Sequence, residues 1–165
     1  MTTTTTNESM APLALIFAVN DGMMTRAVQG LSLDELWHRP SDRSNPMFWL
    51  LGHVVHTRGS ALRLLGDSYT TGWGEIFRRG AVLATRDSYP TLEEIQRARD
   101  VIAPRLQARL AAATDDVLSG PAAVSPTPAI KTVGDLIAFL AFHDSYHVGQ
   151  LAFLRKLLGH PSVAG

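Results

Sequence analysis

Residues 132–159 read TVGDLIAFLAFHDSYHVGQLAFLRKLLG, and the fold follows from how this stretch must sit. Thr132 with Asp135 three residues on makes a capping box, and Gly159 before Pro161 makes a stop. Between them Leu136, Leu140, His143, His147, Leu151, Leu154 and Leu158 recur on one helical stripe. The segment is therefore a predicted helix of about 40 Å, at about 1.5 Å of rise per residue. Two histidines lie on the stripe that should face a core.

Three further long helices are predicted upstream. The first covers 11–30, with Leu13, Ile16, Phe17, Met24, Ala27 and Val28 at helical spacing. Asn45-Pro46 supplies an N-cap and a proline at the first helical position for the second, which runs to Gly66. Thr91 and Glu94 form a capping box that opens the third, where Pro104 should cause a kink or a break. Ser32 and Glu35 cap a short turn or helix stopped at Pro40. Residues 66–90, with Gly66, Gly72, Gly74 and Gly80, read as a long loop of the kind that forms lids or pocket walls. Gly120–Pro128 reads as a connector. With no strand alternation and no repeat, the fold class is all-α, an antiparallel four-helix bundle with long connecting loops. One domain spans 11–165, behind a flexible tail over 1–10 that contains the low-complexity threonine run 2–6.

Composition sets the limits on function. A chain of 165 residues suits one domain of ordinary size. Fifteen basic and fifteen acidic residues cancel, so no global field draws it to nucleic acid or to an anionic membrane. Charged residues are 18% and hydrophobic ones 45%, the balance of a folded, core-rich domain. With no cysteine there is no disulfide, thiolate metal site or cysteine nucleophile, and any metal must be held by nitrogen and oxygen. No apolar run approaches the ~18 residues of a membrane span. MTTTTTNESM has neither the basic start nor the apolar stretch of a signal peptide, so a cytoplasmic protein is expected.

The six histidines carry the chemistry. His143 and His147 are four residues apart, so their imidazoles share a helix face and suit a single ion. Inward histidines can also be satisfied by backbone carbonyls alone. A third ligand changes the balance, and His53 shares an inward stripe with Leu50, Thr57 and Leu64. A His53/His143/His147 triad leaves an open coordination position, the mark of a catalytic site. His56, on a stripe with Gly52, Gly59 and Ser60, belongs to packing or to the pocket edge. His38 and His160 should face solvent near helix ends. HDSYH departs from the zincin motif: Asp144 stands in for glutamate, and Phe153 occupies the place of the next histidine. A di-iron centre fails for want of a second ExxH. Gln150, one turn beyond His147, is placed to orient a ligand or to satisfy the interior. Tyr146 is a pocket candidate, Asp144 a candidate acid/base, and Trp73, Phe77, Arg78 and Arg79 candidates for holding an anionic or aromatic substrate.

At these residues the chain resembles a known family. NPMFWLLGHVVHTRGSALRLLG (45–66) and TVGDLIAFLAFHDSYHVGQLAFLRKLLG (132–159) look like the second and fourth helices of the DinB/YfiT-like superfamily. The likeness extends to LSLDELWHRP (31–40) and WGEIFRRG (73–80). The family's H…HxxxHxGQ pattern falls on His53, His143, His147 and Gly149-Gln150. The resemblance implies an up-down-down-up bundle holding a divalent metal, zinc or nickel, on three histidines, in a homodimer. Many relatives carry glutamate where this chain has Asp144. It further implies a metal-dependent transferase acting on a small molecule with an external low-molecular-weight thiol. The alternatives are a hydrolase using metal-activated water and a non-catalytic metal-binding stress-response bundle. Interleaved Glu93, Glu94 and Asp100 leave no basic patch for nucleic acid.

Overall fold

The computed structural model describes residues 7–163. Its helices are α1 (Ala11–Val28), α2 (Leu33–Trp37), α3 (Met47–Leu64), α4 (Gly74–Phe77), α5 (Leu92–Ala112), α6 (Asp115–Ser119) and α7 (Val133–Leu157). Among the described residues there is no strand, only a single bridge between Pro121 and Thr132. None of these helices is long and apolar enough to cross a membrane. The expected capping boxes are present at Ser32/Glu35, Thr91/Glu94 and Thr132/Asp135, each side chain accepting from the other residue's backbone N–H.

Several local expectations are corrected. α3 begins one residue late, with Pro46 as the cap instead of Asn45: its extended backbone (ψ 157°) aims its carbonyl at the Leu50 N–H, 3.1 Å away. α5 runs through Pro104 without a break. Pro104 and Asp100 are both exposed, so the Asp100 carbonyl that loses its donor is open to water. The loop over 66–90 contains α4 and a 3-10 turn, Arg86–Ser88. The tail expected over 1–10 is docked from Asn7 onward, its N–H donating to Ala111 and its side-chain amide to Ala113, both at 2.8 Å. The threonine run 2–6 lies outside the described residues.

Side-chain contacts fix the direction of each long helix. Asn20 donates to Ser145 and Arg155 to the Gln29 carbonyl, both at 2.8 Å, so α1 and α7 are parallel. Gln107 donates to the Ala14 carbonyl and Arg99 to Thr25, so α5 runs against α1. Gly59 meets Ile102, and Asp67, just past α3, pairs with Arg105, so α3 and α5 are parallel. His53 meets His143 while Arg58 pairs with Asp144 and Leu62 packs with Ile137, so α3 runs against α7. The topology is up-down-down-up.

Two apolar clusters fill the bundle. One gathers Met24, Phe48, Val54, Ile95, Ile102, Val148 and Leu151; the other gathers Phe17, Leu62, Leu106, Leu110 and Ile137. Near their junction lies a buried ion network. Arg58 is 3% exposed and donates to both oxygens of Asp144, itself 1% exposed, at 2.7 and 3.0 Å. Its remaining terminal nitrogen donates to Asp21 of α1 at 2.5 Å. Charges so far from water are stable only while paired. Arg58→Ala should therefore lower unfolding free energy by about 3–5 kcal/mol, because Asp144 is left buried without its partner. Urea denaturation of metal-free protein checks this. The double variant Arg58→Met/Asp144→Leu should recover much of the loss, and an Arg58→Ala cost near zero would show that the network does not hold the helices.

Candidate metal centre

α3 presents His53 and α7 presents His143 and His147, and the antiparallel register brings their Nε2 atoms together. His143 Nε2 lies 3.1 Å from His53 Nε2 and 3.0 Å from His147 Nε2. The ligand atoms of the three lie within 4.8 Å of one another. His53 is 4% exposed and the other two are half-buried.

Two of the three rings are fixed from behind. The Phe77 carbonyl can only accept, and it lies 2.5 Å from His53 Nδ1, so this nitrogen carries the proton and Nε2 keeps its lone pair. Gln150 Oε1 accepts from His147 Nδ1–H at 2.6 Å, and its amide donates to Tyr146 Oη at 3.4 Å. Burial, reinforced by the neighbouring imidazoles, pushes His53 down to about 4 against the Phe77 bond that raises it. Burial and His147 push His143 down to about 4 as well, and burial lowers His147 and His56. The cluster is neutral near pH 7.

Neutral imidazoles aimed at one another make an unsatisfied arrangement. A proton on His143 Nε2 can serve only one of the two facing lone pairs, and it leaves the buried His143 Nδ1 with no partner. A divalent cation between the three nitrogens serves all of them. With zinc–nitrogen distances of about 2.0–2.1 Å, tetrahedral nitrogens stand about 3.3 Å apart, close to the separations seen. The donor set can hold such an ion and leaves a coordination position toward the adjacent cavity.

That cavity is about 590 Å³ and is lined by the triad, Trp49, His56, Arg78, Arg79, Phe139 and Tyr146 among others. Its wall is the connection between α3 and α5, held down by α3 side chains. Trp49 stacks on His53 (centroids 4.7 Å apart) and donates from Nε1 to the Ile76 carbonyl at 2.9 Å. His56 Nδ1 meets Thr71 Oγ1 at 3.2 Å. Phe77 is fully buried and Trp73 packs on it, so neither faces the cavity as a substrate contact. Asp144, the candidate acid/base, faces away from the cavity and is consumed by Arg58. His38 is exposed, but His160 is half-buried and paired with Glu35 at 2.7 Å.

Trp49, Gly52, Arg58 and the Phe77 carbonyl escaped the sequence reading as parts of the site. Gly52, next to His53 in WLLGH, is the one with a visible signal. A Cβ there would lie 2.1 Å from the Phe77 ring, so only glycine lets the loop approach closely enough for its carbonyl to reach His53.

An all-α, up-down-down-up bundle with three converging histidines is the class of protein that fold and site define. The chain belongs to the DinB superfamily, whose family model matches residues 17–151. It is similar in structure to YfiT from Bacillus subtilis, described as "a probable metal-dependent hydrolase with an unusual four-helix bundle topology". The TM-score is 0.70 at 16% identity, over 94% of this chain and 90% of that one. No curated protein sequence is significantly similar.

Two measurements test this construction. Gly52→Ala should cost about 1–3 kcal/mol by overpacking, and Phe77→Leu in the same chain should return most of it. Additive losses in denaturant would show that the two residues do not compete for space. Secondly, unfolded histidines near 6.5 take protons before the folded His53 and His143, which hold out to about 4. Metal-free protein should lose stability as pH falls from 6.5 through 4, and His143→Leu should flatten the slope. An unchanged slope in thermal melts across that window would contradict the assignment.

Proposed function

We propose that the chain is a divalent-metal-dependent enzyme in which His53, His143 and His147 hold the ion, zinc or nickel, and an external low-molecular-weight thiol is the nucleophile. The observation that carries this reading is the convergence of three neutral Nε2 atoms on a cavity of about 590 Å³ whose walls include two arginines and no carboxylate. Three imidazoles suit zinc and nickel alike. When bound, the ion supplies a Lewis acid that lowers the pKa of a thiol or water beside it.

The surrounding residues account for the rest. Phe77 and Gln150 hold two rings in the tautomer that presents Nε2, and Trp49 covers the His53 face from water. Arg78 offers positive charge to the carboxylates that small cellular thiols carry. His56 is the one wall imidazole outside the triad, and it is available to take the thiol proton. The sulfur then bonds to an electrophilic carbon, whose leaving group departs with the bonding pair. A thiol near 8.5 needs far less help to ionise than water at about 15.7, which suits a cavity without a carboxylate base. Since the chain has no cysteine, the sulfur comes from the cosubstrate. Hydrolysis is the second reading, favoured by the description of YfiT, and it places the whole burden of proton transfer on His56.

Protein purified without a histidine tag should carry about one divalent ion per chain, and His147→Ala should lose most of it. Stoichiometric metal in that variant would end the triad reading. Metal-loaded protein should consume thiol in the presence of an electrophile. Turnover with no thiol added would establish hydrolysis instead, and silence in both assays would remove the enzymatic reading.

A further inference from the structure

The cavity beside the triad does not end at its polar walls. A second space of about 380 Å³ adjoins it, and the two share Ser60, Pro126, Phe139 and Leu140 as lining residues. This annexe adds Leu64, Val124 and Leu136 as walls, with Arg63 at its edge. Polarity therefore falls along the combined space, from imidazoles and Thr57 at one end to aliphatic side chains at the other. Val124, an apolar residue of the annexe wall, is 62% exposed among the described residues.

Charge is distributed as unevenly. The chain balances its basic and acidic residues, yet the combined walls carry Arg63, Arg78 and Arg79 and no aspartate or glutamate. Arg78 has Glu75 at 3.3 Å, on the surface. Arg63 donates to Ser60 at 2.9 Å, and among the described residues neither it nor Arg79 meets a carboxylate. Two of the three cations stand at the polar end beside the triad, and the annexe beyond them is mostly hydrocarbon, with Arg63 in its wall held by Ser60.

We infer that the occupant is an amphipathic anion: a carboxylate-bearing molecule whose charged end meets Arg79 beside the triad and whose alkyl or aryl tail lies in the annexe walled by Leu64, Val124 and Leu140. This rests on the cavity being the substrate site of the proposed enzyme, and it narrows the substrate class to acids with an apolar tail. Burial of each methylene should tighten binding by about fourfold at most.

Butyrate, octanoate, octanol and octylamine, titrated calorimetrically into metal-loaded and metal-free protein, test the inference. Octanoate should bind at least tenfold tighter than butyrate and at least tenfold tighter than octanol or octylamine. Arg79→Gln should weaken octanoate toward octanol and leave octanol unchanged. Val124→Trp, an exposed position where an indole fills the annexe, should bring octanoate down to butyrate and leave butyrate unchanged. A flat response to chain length, or octylamine binding as well as octanoate, would overturn the inference. Metal content is read separately: octanoate selectivity in protein that holds no metal keeps the inference while the metal reading fails, and metal-bound protein with a flat profile does the reverse.

Discussion

Arg58 and Asp144 set the register on which the site depends. Their paired hydrogen bonds cross from α3 to α7 one residue from His143 and five from His53. A slip of one helical turn moves a residue by about 5.4 Å, more than the separation of the histidine nitrogens. Such a slip would break the pair and leave both charges buried without partners. The network through Asp21 adds α1 to the same constraint. A polar interaction of this kind is weak evidence for extra stability, but it makes wrong registers expensive.

The topology explains why a loop completes the centre. Because α3 and α5 are parallel neighbours, the chain leaving Leu64 must travel back along the whole of α3 before α5 can begin. Eighteen residues of α3 correspond to about 27 Å. That return path carries the backbone past Trp49, Gly52, His53 and His56, each of which touches it or makes room for it. A bundle of alternating direction with short turns would have no such segment. The connection is long because the topology requires it, and it supplies both a wall and an acceptor to the site.

Local pattern made much of this legible in the sequence. Thr91/Glu94 and Thr132/Asp135 are read from three-residue spacing, and the inward phase of His143 and His147 follows from the leucines around them. What was hidden depends on distant partners. Asp144 looked like a displaced catalytic carboxylate because nothing near it in sequence announces Arg58, 86 residues away. Phe77 and Trp73 looked like substrate contacts because an aromatic residue in a loop says nothing of whether its ring turns in or out. Pro104 suggested a break because residue type alone does not show that the Asp100 carbonyl faces solvent. Gly52 lay between, legible as a small residue that admits a close neighbour, though the neighbour is the Phe77 ring of the loop instead of another helix.

The acceptor for His53 belongs to the main chain. No substitution at position 77 can delete a carbonyl, so the acceptor atom itself survives any change of side chain. Its vulnerability moves to whatever keeps the carbonyl in place, which means the glycine that admits the Phe77 ring and the indole that tethers Ile76. A saturation scan would then record the contribution of the loop largely at helix positions 49 and 52. Within the connection the constraint falls on the buried Phe77 ring, while the exposed Arg78, Arg79 and Gly80 beside it carry none of that packing.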